Sequence, residues 1–154
     1  MTAEYEIELL IADFFRAFDA QDWQGVRGTL GDELKIDYAT PRGGRPALIA
    51  VNPDSFVSQR RNSLVNLTTN HDFEVQSLWI EGDTAAAKCT FALKRYAADG
   101  ERHFHSWGEF ELAFARHERR GWRISSLAQM TWRSEGEPKL HASRAADTGA
   151  RKIA

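Results

Sequence analysis

The sequence predicts an α+β domain in which a cone-shaped, curved antiparallel sheet wraps around N-terminal helices. Three observations predict it. Residues 4–19 repeat their apolar positions with a period near 3.6. From residue 67 the period falls to 2, over four long stretches separated by tight-turn signals. The helical segments come first and the long strands follow as a block, an α+β order rather than an alternating one.

In the first helix, Ile7, Leu10, Ile11, Phe14, Phe15 and Phe18 form one wide apolar stripe. Glu4, Glu6 and Glu8 load its first turns, where the helix dipole favours negative charge. Asp22 reads as the N-cap of a short second helix through Trp23, Val26 and Leu30. Leu34, Ile36 and Tyr38 then alternate as one face of a short strand. Pro41, Gly43, Gly44 and Pro46 make 39–52 an irregular loop. Pro53 and Asp54 open a third helix through Phe56, Val57 and Arg60.

The block of strands starts at 67–80, with Leu67, His71, Phe73, Val75 and Trp79 on one face. Glu81-Gly82-Asp83 turns it into a strand over 84–97, and Ala98-Asp99-Gly100 turns again. The strand over 102–116 puts Phe104, Ser106, Gly108, Phe110, Leu112 and Phe114 on one face, and Arg119-Arg120-Gly121 leads into the last strand, 122–132. Residues 1–133 thus read as one domain. Residues 134–154, with few apolar side chains, read as a polar tail, either disordered or a loosely held cap over a pocket. A sheet of this kind curls, and the first helix fits its concave face. The product is a cone with an apolar interior and polar groups near its mouth, a favoured place for a small-molecule ligand.

Composition narrows the function. A chain of 154 residues suits a single domain and buries about 70% of its unfolded surface without staples. A formal net charge of −2 argues against binding nucleic acid or a membrane through bulk charge. No apolar run approaches the roughly 18 residues of a membrane span, and the acidic start Met1-Thr2-Ala3-Glu4 is unlike a secretory signal. Cys89 is the single cysteine, which fits a reducing cytoplasm. The expected protein is cytoplasmic.

Candidate functional residues are the polar groups on apolar faces. His71 shares its face with Phe73 and Val75, where an imidazole can accept a proton near neutral pH. The alternative is a core histidine bonded to a neighbour. Tyr38 points inward by the same alternation, as a donor to a substrate oxygen or as a structural tyrosine. Asp19 borders the buried stripe at the end of the first helix, where it orients a histidine or ends the helix. Ser106 lies inward beside Gly108, which leaves room for a ligand. Phe18, Leu93, Phe56 and Trp132 complete the expected substrate-binding wall. His103 and His105 have the spacing of a metal pair but fall outside the cone without a third ligand, so no metal is expected. Trp107, Glu109 and Glu111 share that outer face, a surface suited to an oligomer. Cys89 reads as a small buried hydrophobe, and no glycine-rich phosphate loop is present.

With Gly82-Asp83-Thr84-Ala85 and Gly121-Trp122-Arg123-Ile124 closing successive hairpins, the layout resembles the nuclear transport factor 2 superfamily, SnoaL-like branch. Over roughly residues 5–133 it is similar to the scytalone dehydratase family. The similar stretches are Phe18-Asp19-Ala20-Gln21-Asp22-Trp23, Ile36-Asp37-Tyr38, Thr69-Asn70-His71 and His103-Phe104-His105-Ser106. The resemblance implies a cone-shaped, cystatin-like α+β barrel and a homo-oligomer, a trimer by that family's habit although a dimer is also open. It also implies elimination of water from a small cyclic hydroxyketone without cofactor or metal. Asp19 would match an aspartate that orients a catalytic histidine, Tyr38 a tyrosine that holds a water on the carbonyl oxygen, His71 an active-site histidine, and Ser106 a pocket hydroxyl. Phe18 stands where the family has a second tyrosine, Leu93 near its paired histidine and Gly108 at its asparagine. The aspartate–histidine pair is therefore expected to be incomplete.

The expected function is a cofactor-independent lyase of the dehydratase kind, or an isomerase, working by acid–base catalysis on a small cyclic hydroxyketone or polyketide-like compound. The alternatives are a non-catalytic module for small-molecule binding or oligomerisation, and an accessory subunit of an oxygenase.

Overall fold

The computed structural model describes residues 1–140. Helix α1 (Ala3–Asp19) begins at the N-cap Thr2, whose hydroxyl accepts the Tyr5 N–H at 3.2 Å. Helix α2 (Trp23–Thr29) is capped by Asp22 and α3 (Pro53–Leu64) by Asn52, with Pro53 in the first turn, where its missing N–H costs nothing. The strands are β1 (Leu30–Thr40), β2 (Ile49–Val51), β3 (Leu67–Glu81), β4 (Thr84–Ala97), β5 (His103–His117) and β6 (Gly121–Gly136).

These strands form one six-stranded curved sheet in the order β2-β1-β6-β5-β4-β3. The α+β cone is as expected, with four corrections. The sheet is mixed rather than antiparallel throughout: β1 runs parallel to β6, and Ile36 pairs with Leu127. It is also not closed, since β2 and β3 are its two edges. Residues 49–51, expected within a loop, form the edge strand β2 on β1, and only the Pro- and Gly-rich stretch before them is irregular. Finally, β6 continues to Gly136, past the expected domain boundary at 133, because its last residues pair with Phe104–Trp107 of β5. Leu140 then packs on the rim of the core. The remainder of the expected tail, 141–154, lies outside the described residues.

Helix α1 lies in the concave face. Its Ile7, Ile11, Phe14 and Phe15 are almost completely buried, together with Phe110, Phe114, Ile124 and Leu127 of the sheet. Each such side chain contributes about 1.5–3 kcal/mol on burial, and their one-sided placement sets the helix across the sheet.

One strand departs from simple alternation. The pairing of β3 with β4 slips between Val75 and Ser77, leaving Gln76 as an extra residue. A bulge of this kind reverses the phase of everything beyond it. Trp79, expected inside, is therefore 62% exposed, while Leu78 and Ile80 turn to the core. Among the described residues no helix is long and apolar enough to cross a membrane.

Candidate active site

Between α1, α3 and the concave face of the sheet lies a cavity of about 330 Å³. Aromatic rings dominate its wall: Phe14, Phe15 and Phe18 from α1, Phe104 and Phe110 from β5. Its polar groups include Tyr38, Arg60, Thr69, His71, Arg95, Ser106 and Ser134.

Asp19 and His71 meet at one wall. The Asp19 carboxylate accepts the Thr69 hydroxyl at 3.0 Å and the His71 backbone N–H at 2.8 Å, and it lies 2.6 Å from His71 Nδ1. An ionised carboxylate can only accept, so Nδ1 is the donor, and in the neutral imidazole the lone pair then lies on Nε2. The ring packs against Phe15 and Phe18, with centroids 5.2 and 5.8 Å away, which fixes its plane. A negative charge on the last residue of a helix opposes the helix dipole. Asp19 stays there because β3 presents three donors to it. The corner is braced by Gln21, in the left-handed region at φ 54°, whose side-chain amide donates to the Leu64 and Leu67 carbonyls at 3.0 and 2.8 Å. The aspartate–histidine pair expected to be incomplete is thus present. Its histidine comes from β3, not from the position of Leu93 on β4.

Tyr38 stacks on Phe56 with centroids 6.0 Å apart, and the Arg60 guanidinium lies 4.8 Å from the tyrosine ring. Burial pushes its phenol up to about 12, so the hydroxyl keeps its proton at neutral pH and remains a donor. Ser106 accepts a 2.7 Å hydrogen bond from Arg95 Nη2 and lies 3.1 Å from the Ser134 hydroxyl. Leu93 and Phe18 line the cavity.

Two expected wall residues do not reach the cavity. Phe56 is buried behind Tyr38. Trp132 is 40% exposed, because Trp107 pairs with Arg133 and Gly108 with Thr131, leaving Trp132 as the extra residue of a bulge. Gly108 does not make room for a ligand either. A Cβ there would run into the Met130 carbonyl and lie 3.0 Å from the Phe91 ring.

His103 and His105 stack on each other at 4.5 Å, and His105 Nδ1 accepts the Arg95 backbone N–H at 3.3 Å. Among the described residues, no three His, Cys, Asp or Glu side chains are placed to hold a metal ion. Cys89 is fully buried, and desolvation together with Glu109 pushes its thiol up to about 12. The thiolate is the reactive form, so the folded protein is expected to resist an aromatic disulfide reagent at pH 8 and to react fully once denatured. Rapid labelling of the native protein would contradict this burial.

Two further residues of the site, Arg60 and Arg95, are not among the residues expected from the sequence. Both are about 95% buried and both line the cavity. The signal was available: Arg60 falls on the apolar stripe of α3, and Arg95 continues the inward series Cys89, Phe91, Leu93. A guanidinium at an inward position of a strand is as anomalous as an imidazole.

A model of the SnoaL-like domain matches residues 1–128. No curated protein matches the sequence. Among solved structures, the Kfla4162 protein from Kribbella flavida superposes with a TM-score of 0.77 at 21% identity, covering 92% of this chain and 97% of that one. A Novosphingobium aromaticivorans protein assigned to the scytalone dehydratases gives 0.66 at 9% identity, with 85% of each chain covered. A ketosteroid isomerase-like protein from Erwinia carotovora atroseptica gives 0.65 at 12% identity, covering 82% and 94%. At these identities the likeness is one of fold.

Proposed function

The chain belongs to the SnoaL-like domain family, and from that premise we propose that it is an acid–base enzyme needing only proton transfers. It acts as a lyase of the dehydratase kind, or as an isomerase, on a small cyclic hydroxyketone or polyketide-like compound. The observation that carries this reading is the 2.6 Å contact between Asp19 and His71 Nδ1 at the wall of an aromatic cavity. Relatives of the fold include isomerases and dehydratases, and both reaction types begin with removal of a proton beside a carbonyl.

In this reading His71 Nε2 takes that proton, and Asp19 stabilises the imidazolium that results. Tyr38 donates its hydroxyl to the carbonyl oxygen, where enolate charge develops. Such a donor acts far more strongly in a desolvated pocket than in water. For elimination, the imidazolium returns its proton to the leaving hydroxyl, which departs as water. For isomerisation, it returns the proton to another carbon of the same skeleton.

The first test follows scytalone and related cyclic hydroxyketones by ultraviolet absorbance as the conjugated product forms. Turnover of any member supports the enzyme. Tight binding across the series with no turnover would replace it by a binding module. Given a turned-over substrate, Tyr38→Phe is expected to lower kcat on the order of 10²-fold with an unchanged unfolding midpoint, since the ring keeps its packing on Phe56. An unchanged kcat would remove Tyr38 from the mechanism.

A further inference from the structure

The described structure leaves three nitrogen atoms of the two cavity arginines without a hydrogen-bond partner: Arg60 Nε, Arg60 Nη2 and Arg95 Nε. Both side chains are nine-tenths or more buried, with relative exposures of 5% and 6%. A buried donor without an acceptor is costly, and a buried charge more so. The two unfilled positions on Arg60 are not independent. Nε–H and Nη2–H lie on the same edge of the guanidinium plane, the edge that takes a carboxylate side-on through two parallel hydrogen bonds. Each guanidinium carbon sits over an aromatic ring, Arg60 over Tyr38 at 4.8 Å and Arg95 over Phe104 at 4.5 Å. These contacts help to hold the two side chains in place.

Charge counting points the same way. The ionisable groups on the cavity wall and in contact with it include two guanidiniums and one carboxylate, that of Asp19. Burial draws Arg95 down to about 10, which still leaves it cationic at neutral pH. Asp19 spends its oxygens on Thr69 and His71, so one positive charge and a complete carboxylate fork remain unanswered inside an aromatic chamber.

We propose that Arg60 and Arg95 form an anion-recognition subsite, and that the substrate is a small cyclic ketone that also carries a carboxylate, bound through that anion, rather than a neutral hydroxyketone. The inference rests on the acid–base reading of the same cavity and names its substrate class. The Arg60 edge takes the carboxylate, and the buried Nε–H of Arg95 takes a further oxygen. Ser106 and Ser134 hold the Arg95 end in place. The Phe14, Phe15 and Phe18 rings cover the carbon skeleton.

The probe pair is 2-hydroxybenzoate and its neutral isostere 2-hydroxybenzamide, titrated calorimetrically into the full chain. The wild type is expected to prefer the acid by about tenfold or more. Arg60→Met is expected to erase that preference, and His71→Asn to preserve it. Equal affinity for acid and amide in the wild type would overturn the proposal without any variant being needed, as would failure of both to bind at millimolar concentration. A folded Arg60→Met protein that keeps the preference would also overturn it. The two readings fail separately. Acid preference without turnover of any acid leaves the subsite and removes the enzyme, whereas turnover of neutral ketones with no acid preference does the reverse.

Discussion

Replacing His71 by alanine is expected to lower kcat by about 10²–10⁴-fold, the usual contribution of a positioned general base. The lower end corresponds to about 2.7 kcal/mol of transition-state stabilisation. The protein is expected to remain folded. The imidazole borders an existing cavity, so its removal enlarges a space that water can enter and leaves no sealed void. Asp19 also keeps two of its three donors, the Thr69 hydroxyl and the backbone N–H of residue 71. Asp19→Asn separates the two halves of the pair. The amide occupies the same space but no longer forces the proton onto Nδ1, so kcat is expected to fall while KM changes little. The check is a steady-state comparison of the three proteins at matched circular dichroism. A His71→Ala protein within about threefold of wild type would exclude His71 as the base, because even weak general-base catalysis exceeds that.

The second large effect is on stability. Gly108→Ala is expected to cost more than about 3 kcal/mol, beyond the usual range for overpacking. The added methyl would meet the Met130 carbonyl on β6 and the Phe91 ring on β4 at once. Neither can retreat easily. Strand β5 is paired on both sides, Gly108 facing Phe91 on β4 and Thr131 on β6, and Phe91 packs on Phe110 with centroids 4.5 Å apart. The position sits at the bulge that ejects Trp132, so glycine lets the two backbones approach where the ladder slips. Urea denaturation measures it. A midpoint shift equivalent to less than about 0.5 kcal/mol, the scale of a neutral surface change, would mean that the two strands are not so closely apposed.

The parts of this fold that were legible in the sequence are the local ones. The period of α1, the cap at Asp22, the helix start at Pro53, and the hairpins at Gly82 and Gly121 are each decided within a few residues. What was not legible depends on distant pairing. Nothing near Leu34–Tyr38 reveals that this strand runs parallel to one that ends a hundred residues later. Alternation is exact only until a bulge, and the slip at Gln76 turned Trp79 outward. Trp132 left the wall for the same reason.

The site divides along similar lines. Inward alternation selected His71, Tyr38 and Ser106, and helical period selected Asp19. Their partnership could not be read, because Asp19 and His71 are brought together only by the way α1 lies across β3. The family resemblance places the histidine partner near Leu93, in register with His71 on the neighbouring strand. Arg60 and Arg95 are hard to pick out by residue type, because a guanidinium is expected to reach solvent, yet both occupy positions whose same-face neighbours are buried.

In the proposed mechanism His71, held by Asp19, removes a proton beside a carbonyl in this cavity. Deuterium exchange from heavy water into the carbon next to the carbonyl of a bound cyclic ketone, followed by proton NMR, tests that step without requiring the full reaction. Exchange is expected with the wild type and is expected to fall by at least about 10²-fold with His71→Ala. Exchange at equal rates in the two proteins, or none with any cyclic ketone that binds the wild type, would contradict it.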